Sequence, residues 1–374
     1  MAPAGAGELL CETRFAASAR DGSVAWSPGK RRSGLTSLVC WFAVDSRKVS
    51  SVYVASDSRI TAPDGRVLSD CSQKVFACRK RPDILGYCGN AERLPSVLPR
   101  LVSDLDAQPM TPAENAWARA LQLARELNAA IPIHDARAYE GTTVVYASRC
   151  GEGYEGAAFN VFELHVVDDK WDFATVDWTD DPTSPTYDPA GAHQRMDRLD
   201  VAASLGSGAR GVKERREQWA SYHGHQIVRQ GIAGTTRARA SRGVFSGLCT
   251  ALSFDDDRLS GGAPQLATIH QEGAASSLGV IWNDARFYEG RAQTIEQAIA
   301  LGTRWHDQLF QLCDPSTMQA LKSAAHHAAP AKGLAPFPAS EPPEVRRARI
   351  DEARVREASD RERAREAHRK RFIK

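Results

Sequence analysis

Between residues 37 and 88 the chain lays down short apolar runs one after another, and the connections between them are too short to hold a helix. Residues 37–44 are nearly all apolar, the pattern of a strand buried on both faces. The polar Asp45-Ser46-Arg47-Lys48 turns this run back into residues 51–56. Ala62-Pro63-Asp64-Gly65 is a tight-turn sequence, since proline presets φ and glycine tolerates the left-handed region. Arg66-Val67-Leu68 returns from it. Two more short runs, 74–78 and 84–88, are joined through Arg81-Pro82-Asp83. A parallel pair needs a crossover of about a dozen residues or more, so these connections dictate antiparallel β structure.

Helical patterns come next. Residues 91–105 read as a helix interrupted by Pro95. Residues 112–130 read as a better one, with Thr111 as N-cap, Pro112 at the first helical position and Glu114 at the capping-box position. Its apolar face is Trp117, Leu121, Ala124 and Leu127. Strands are expected over 142–148, 158–167 and 171–178, then an insertion-like loop over 179–199. A strand at 202–205 ends in Gly206-Ser207-Gly208-Ala209. Helices over 209–230 and 240–254 precede strands at 265–270, 278–283 and 286–289, and a last helix is expected over 294–312. The order β, α-α, β, α-α, β specifies an α+β class.

The ends of the chain differ in composition from this body. Residues 1–35 are rich in Ala, Gly, Ser and Arg without sustained periodicity, which reads as a disordered extension or a propeptide. Residues 313–343 read as a Pro/Ala-rich linker, and 344–374 as a charged helical or disordered tail. The formal net charge of +2 hides an asymmetry. Residues 341–374 hold 12 Lys and Arg against 8 Asp and Glu, so the body is close to neutral and no polyanionic partner is implied. Phe372 is the tail's one aromatic, which argues against base stacking and so against nucleic acid. No apolar run approaches 18 residues, so no membrane helix is expected. Eight scattered cysteines form no CxxC, which reads as a reducing, cytoplasmic setting without a zinc knuckle. The histidine pairs His223-Gly-His225 and His326-His327 lack carboxylate or thiol partners at ligand spacing, so no metal is assigned.

The chemistry concentrates on three residues at strand ends. Thr36 opens the first apolar run, Asp57 in Asp57-Ser58-Arg59-Ile60-Thr61 closes the second, and Lys74 opens another. A threonine hydroxyl is a weak nucleophile and needs a base. Were Thr36 the first residue, its own α-amino group would stand beside the hydroxyl, with an ordinary pKa near 8. A lysine ammonium nearby would stabilise the alkoxide, and an acid would hold the lysine in place. Lys74 and Asp57 are the candidates.

In this order of elements the chain resembles the N-terminal-nucleophile (Ntn) hydrolases of the proteasome β-subunit and HslV type. The resemblance spans about 36–290 and implies a four-layer αββα sandwich over 36–312. It assigns Thr36, Asp57 and Lys74 the roles just described. It adds Ser207 from Gly206-Ser207-Gly208, and Asp257 and Ser260 from Asp257-Arg258-Leu259-Ser260-Gly261-Gly262. It implies an oxyanion hole at the Gly89 N–H and a substrate-binding strand at Thr61. The implied function is a threonine peptidase that needs no cofactor and acts on a peptide or unfolded protein. Family members work in homo-oligomers, rings among them, some with an unfoldase partner. Two departures stand out. Thr36 and Asp57 are 21 residues apart, longer than usual by about a hairpin extension, and Leu35 stands where self-processing members usually have glycine. If Thr36 stays blocked, the same fold is a non-catalytic scaffold, and an Ntn amidohydrolase acting on a small amide is the other alternative.

Overall fold

The computed structural model describes residues 36–44, 49–62, 64–90, 92–108, 115–132, 139, 141–167, 170–179, 201–216, 240–254 and 257–321. The expectations for 1–35, the 45–48 turn, the 179–199 loop beyond Thr179, most of the 209–230 helix, the paired histidines and the 344–374 tail fall outside these residues.

The described chain is mixed α and β, with antiparallel sheets as the short connections require. Strands β1 (Leu38–Val44) and β2 (Val49–Ser56) form the expected hairpin. The ribbon β3 (Ile60–Thr61) and β4 (Val67–Ser69) stands apart as a two-stranded sheet. Its turn is closed by Gly65, at φ 86°, whose N–H donates to the Ala62 carbonyl. Strands β5 (Val75–Ala77), β6 (Asp83–Cys88), β7 (Thr143–Cys150), β8 (Ala158–Val167) and β9 (Lys170–Thr179) make a five-stranded antiparallel sheet in sequence order.

The larger sheet has nine strands. β10 (Val201–Leu205) pairs with β1, and β11 (Gln265–His270) pairs with β2. β12 (Ser276–Trp282), β13 (Ala285–Tyr288) and β14 (Arg291–Ala292) continue it outward. The helices are α1 (Leu94–Ala107), α2 (Ala116–Ala130), the single turn α3 (Gly153–Gly156), α4 (209–216), α5 (Ala240–Ser253) and α6 (Ile295–Ala300).

Alternation along the strands divides the apolar side chains among three main cores. Leu38, Cys40 and Phe42 of β1 face one way and meet Val75, Ile84, Val145 and Phe159 of the five-stranded sheet. Val39 and Trp41 face the other way, onto Val212 of α4 and Val244, Phe245 and Leu248 of α5. The far face of the smaller sheet, with Leu85, Tyr87 and Tyr146, packs on Leu94, Leu98, Leu123 and Leu127 of α1 and α2. A strand whose two faces are both buried reads as a continuous apolar run, and this is why residues 38–42 show no polar alternation.

Several boundaries are corrected. α1 begins at Leu94, and Pro95 sits in its first turn, where its missing N–H leaves no bond unmade. α2 is capped by Asn115, whose side chain accepts from the Ala118 N–H. The expected cap, Thr111 with Pro112 and Glu114, lies outside the described residues. The helix expected over 294–312 ends at Ala300, and Gly302 at φ 60° follows it. The chain then forms β15 (Trp305–Asp307), parallel to β12, and β16 (Leu312–Cys313) beside it. The fold continues past the expected linker start at residue 313. The Asp314 N–H donates to Gln319, and the Leu321 N–H donates to Leu312.

Candidate active site

Thr36 precedes β1, Asp57 follows β2, and Lys74 precedes β5. The first two flank strands of the nine-stranded sheet and the third leads into the facing one, so the three meet where the two sheets face each other. Lys74 Nζ donates to Thr36 Oγ1 at 3.0 Å and to Asp57 Oδ1 at 2.9 Å. All three side chains are buried, with Lys74 1% and Asp57 0% exposed.

A buried ion pair loses its hydration, and it survives where further hydrogen bonds fill the remaining positions. Asp57 has them. Oδ1 also accepts from the Ser37 N–H at 3.1 Å. Oδ2 accepts from the Arg59 N–H at 3.2 Å and the Gly261 N–H at 2.9 Å. Four donors thus meet the roughly four acceptor positions of a carboxylate. The Asp57 N–H and the Ser56 hydroxyl both donate to the Ser37 carbonyl, each at 3.1 Å, which fixes the start of β1 against the end of β2.

A second network lies on the other side of Ser37. The Ser37 hydroxyl donates to Ser260 Oγ at 2.9 Å, and Ser260 Oγ donates to Asp257 Oδ2 at 2.7 Å. The Ser207 hydroxyl donates to the same Asp257 oxygen. The Gly208 N–H donates to the Thr36 carbonyl at 3.4 Å. Glycine is required at 208, because a β-carbon there would run into the hydroxyls of Ser37 and Ser260. Ser207, Asp257 and Ser260 thus come together within two residues of Thr36 in this network, although Ser207 and Asp257 are 50 residues apart in sequence.

The two remaining expected residues lie at the margins. Thr61 on β3 donates through Oγ1 to the Leu259 carbonyl at 3.1 Å, which ties the ribbon to the 257–260 turn. Gly89, at φ 104°, lies just past β6 against Thr142, and a β-carbon there would strike Thr142. Its N–H joins none of the hydrogen bonds described above around Thr36. Cys88, its neighbour in sequence, is buried, and burial pushes its thiol up to about 12. A thiol held protonated is a poor nucleophile, so Cys88 does not compete with Thr36.

Sequence reasoning passed over two residues that complete the site, Ser37 and Gln265. Each is neutral and sits in or beside an apolar strand, where a single polar residue gives no signal of a partner. Ser37 bonds to both carboxylates' networks. Gln265 is fully buried at the start of β11.

No family model matches the chain, and no curated protein matches it. Solved structures that resemble it include those of Anbu. A Gly-1 mutant of Anbu from Hyphomicrobium sp. strain MC1 is 13% identical with a TM-score of 0.35, and the match covers 65% of this chain and 86% of that one. Anbu from Yersinia bercovieri, described as an ancestral β-subunit, is 12% identical at a TM-score of 0.35, covering 68% and 87%. A second structure of the Hyphomicrobium protein is 12% identical at 0.32, covering 64% and 86%. The expected placement in the proteasome β-subunit and HslV family is corrected by these findings, since those solved structures are of Anbu.

Proposed function

We propose that this chain is a threonine peptidase whose nucleophile is Thr36, acting once Thr36 has become an N-terminal residue. The observation that carries the reading is the hydrogen bond from a buried lysine, itself paired with a buried carboxylate, to the Thr36 hydroxyl. Structural lysines on a solvated strand end have no such arrangement. The three cores between and outside the two sheets support a four-layer αββα Ntn-type architecture for the domain.

The roles follow from which atoms donate. Lys74 Nζ stands 3.0 Å from Thr36 Oγ1, where an ammonium donates to the oxygen and stabilises the alkoxide. The base is the freed α-amine of Thr36. The hydroxyl attacks a peptide carbonyl as its proton passes to that amine. The amine then returns the proton to the leaving amine of the substrate, which departs and leaves an ester on Thr36. Water, deprotonated by the same amine, cleaves the ester and restores the hydroxyl. Asp57 orients Lys74, while Ser207, Asp257 and Ser260 form the polar surroundings of the amine. In this reading the Gly89 N–H receives the oxyanion, and the ribbon at Thr61 pairs with an extended peptide. No cofactor enters the scheme. A homo-oligomer, ring-shaped or not, acting alone or with an unfoldase, is the proposed working form.

The test uses protein whose chain starts at Thr36, prepared by cleavage of an engineered site, against a panel of peptide and small-molecule amides. Hydrolysis of peptides, abolished by Thr36→Ala with an unchanged circular dichroism spectrum, is the expected result. Turnover of small amides alone would assign an amidohydrolase. Absence of turnover on both panels would leave a non-catalytic scaffold, consistent with Leu35 in place of the usual glycine.

A further inference from the structure

We infer that Gln265 is a positioning residue that holds Lys74 and Asp57 in register across the two sheets, an inference that rests on the proposed role of that pair. A primary amide offers two N–H donors and two acceptor positions, and here all four are used. Oε1 accepts from the Lys74 N–H at 2.9 Å and the Val75 N–H at 3.3 Å. Nε2 donates to the Asp57 carbonyl at 3.1 Å and the Ser72 carbonyl at 2.7 Å.

These partners lie on both sides of the site. Gln265 belongs to β11, whose register pairs it with Ser56, the residue before Asp57. Lys74 leads into β5, the edge strand of the other sheet. An edge strand leaves main-chain N–H groups without a neighbouring strand to accept them. The Gln265 amide takes the place of that neighbour, and its other end grips the main chain of Asp57. One buried side chain therefore fixes the backbones of both members of the ion pair, close to where Lys74 Nζ and Asp57 Oδ1 meet at 2.9 Å. None of the four hydrogen bonds of the Gln265 amide goes to Thr36, so it acts through Lys74 and Asp57.

Two variants separate this role from a merely structural one. Gln265→Met keeps the shape and removes all four bonds, while Gln265→Asn keeps the amide on a stem one methylene shorter. In protein starting at Thr36, Gln265→Met is expected to lower kcat per folded molecule on the order of 100-fold, as a displaced catalytic group does, with KM within about twofold. Gln265→Asn is expected to fall between it and the parent. Both variants keeping kcat within about twofold while only their melting temperature drops would overturn the inference. A second readout does not depend on turnover. In crystal structures of Gln265→Met the Lys74 Nζ to Asp57 Oδ1 separation is expected to open beyond about 3.5 Å, outside hydrogen-bond range. A separation unchanged from the parent would overturn the inference. If the parent protein itself hydrolyses nothing, the peptidase reading falls, and the crystallographic separation alone decides whether Gln265 sets the pair.

Discussion

Asp57 takes three of its four hydrogen bonds from main-chain N–H groups and one from a charged side chain, Lys74. Removing that one partner leaves a buried carboxylate without its counter-charge. Breaking a buried pair from one side costs about 3–5 kcal/mol. Lys74→Met is therefore expected to lower unfolding free energy by about that amount, read from urea denaturation, as well as to abolish turnover. Thr36→Ala removes one hydroxyl that touches Lys74 and leaves Asp57 fully bonded, so its stability should change by no more than about 1 kcal/mol. The two ionised residues were legible in the sequence because a charge at the end of an apolar strand stands out against its neighbours. Gln265 and Ser37 were not, since their importance lies in partners distant in sequence, 208 residues away for the Gln265 bond to the Asp57 carbonyl and 223 for the Ser37 bond to Ser260. The resemblance named Ser207, Asp257 and Ser260 through short Gly-Ser motifs, and folding brings both hydroxyls to one oxygen of the Asp257 carboxylate.

At the scale of elements, the strands were legible wherever both faces are apolar, and the boundaries slipped where a local signal had a rival. Asn115 caps α2 because it directly precedes the helical run and its side chain reaches the Ala118 N–H. The segment after Ala300 was misread as helix because Trp305, Leu309 and Leu312 fall near helical spacing. Their partners are instead distant: Trp305 pairs with Gly279 of β12, where the missing β-carbon makes room for the indole. Trp305→Ala should cost about 3–5 kcal/mol, the ordinary loss for a buried tryptophan, and should be measurable by thermal unfolding. The same segment carries a pH dependence. Burial, with Arg304 and His270 adding positive charge nearby, lowers His306 to about 4. Its unfolded value is near 6.5. The unfolded chain therefore binds a proton that the folded chain refuses between those values, so stability is full above about pH 6.5 and falls as pH drops toward 4. The loss amounts to about 3 kcal/mol at most. His306→Gln should flatten this slope in denaturation curves recorded from pH 7 to 4, and an unchanged slope would assign it to other groups.

For the whole molecule, two sheets face each other with helices outside them, and the site lies where the ends of β1, β2 and β5 converge. An α+β class with mostly antiparallel sheets was legible because short connections leave few topologies. The pairing order was not, because the second partner of β2, beside β1, is β11, more than 200 residues later. Among the described residues no helix is long and apolar enough to cross a membrane. The account as a whole stands on Thr36 having both a free amine and a reactive hydroxyl. A peptide epoxyketone tests both together, because it closes a six-membered ring only by bonding to the amine and the hydroxyl of one N-terminal residue. The measurement is the mass of the adduct-bearing peptide after digestion of protein purified from its native host. A ring adduct on a peptide that begins at Thr36 is the predicted result. A stable chain that continues upstream of Thr36 and takes no adduct there would contradict it.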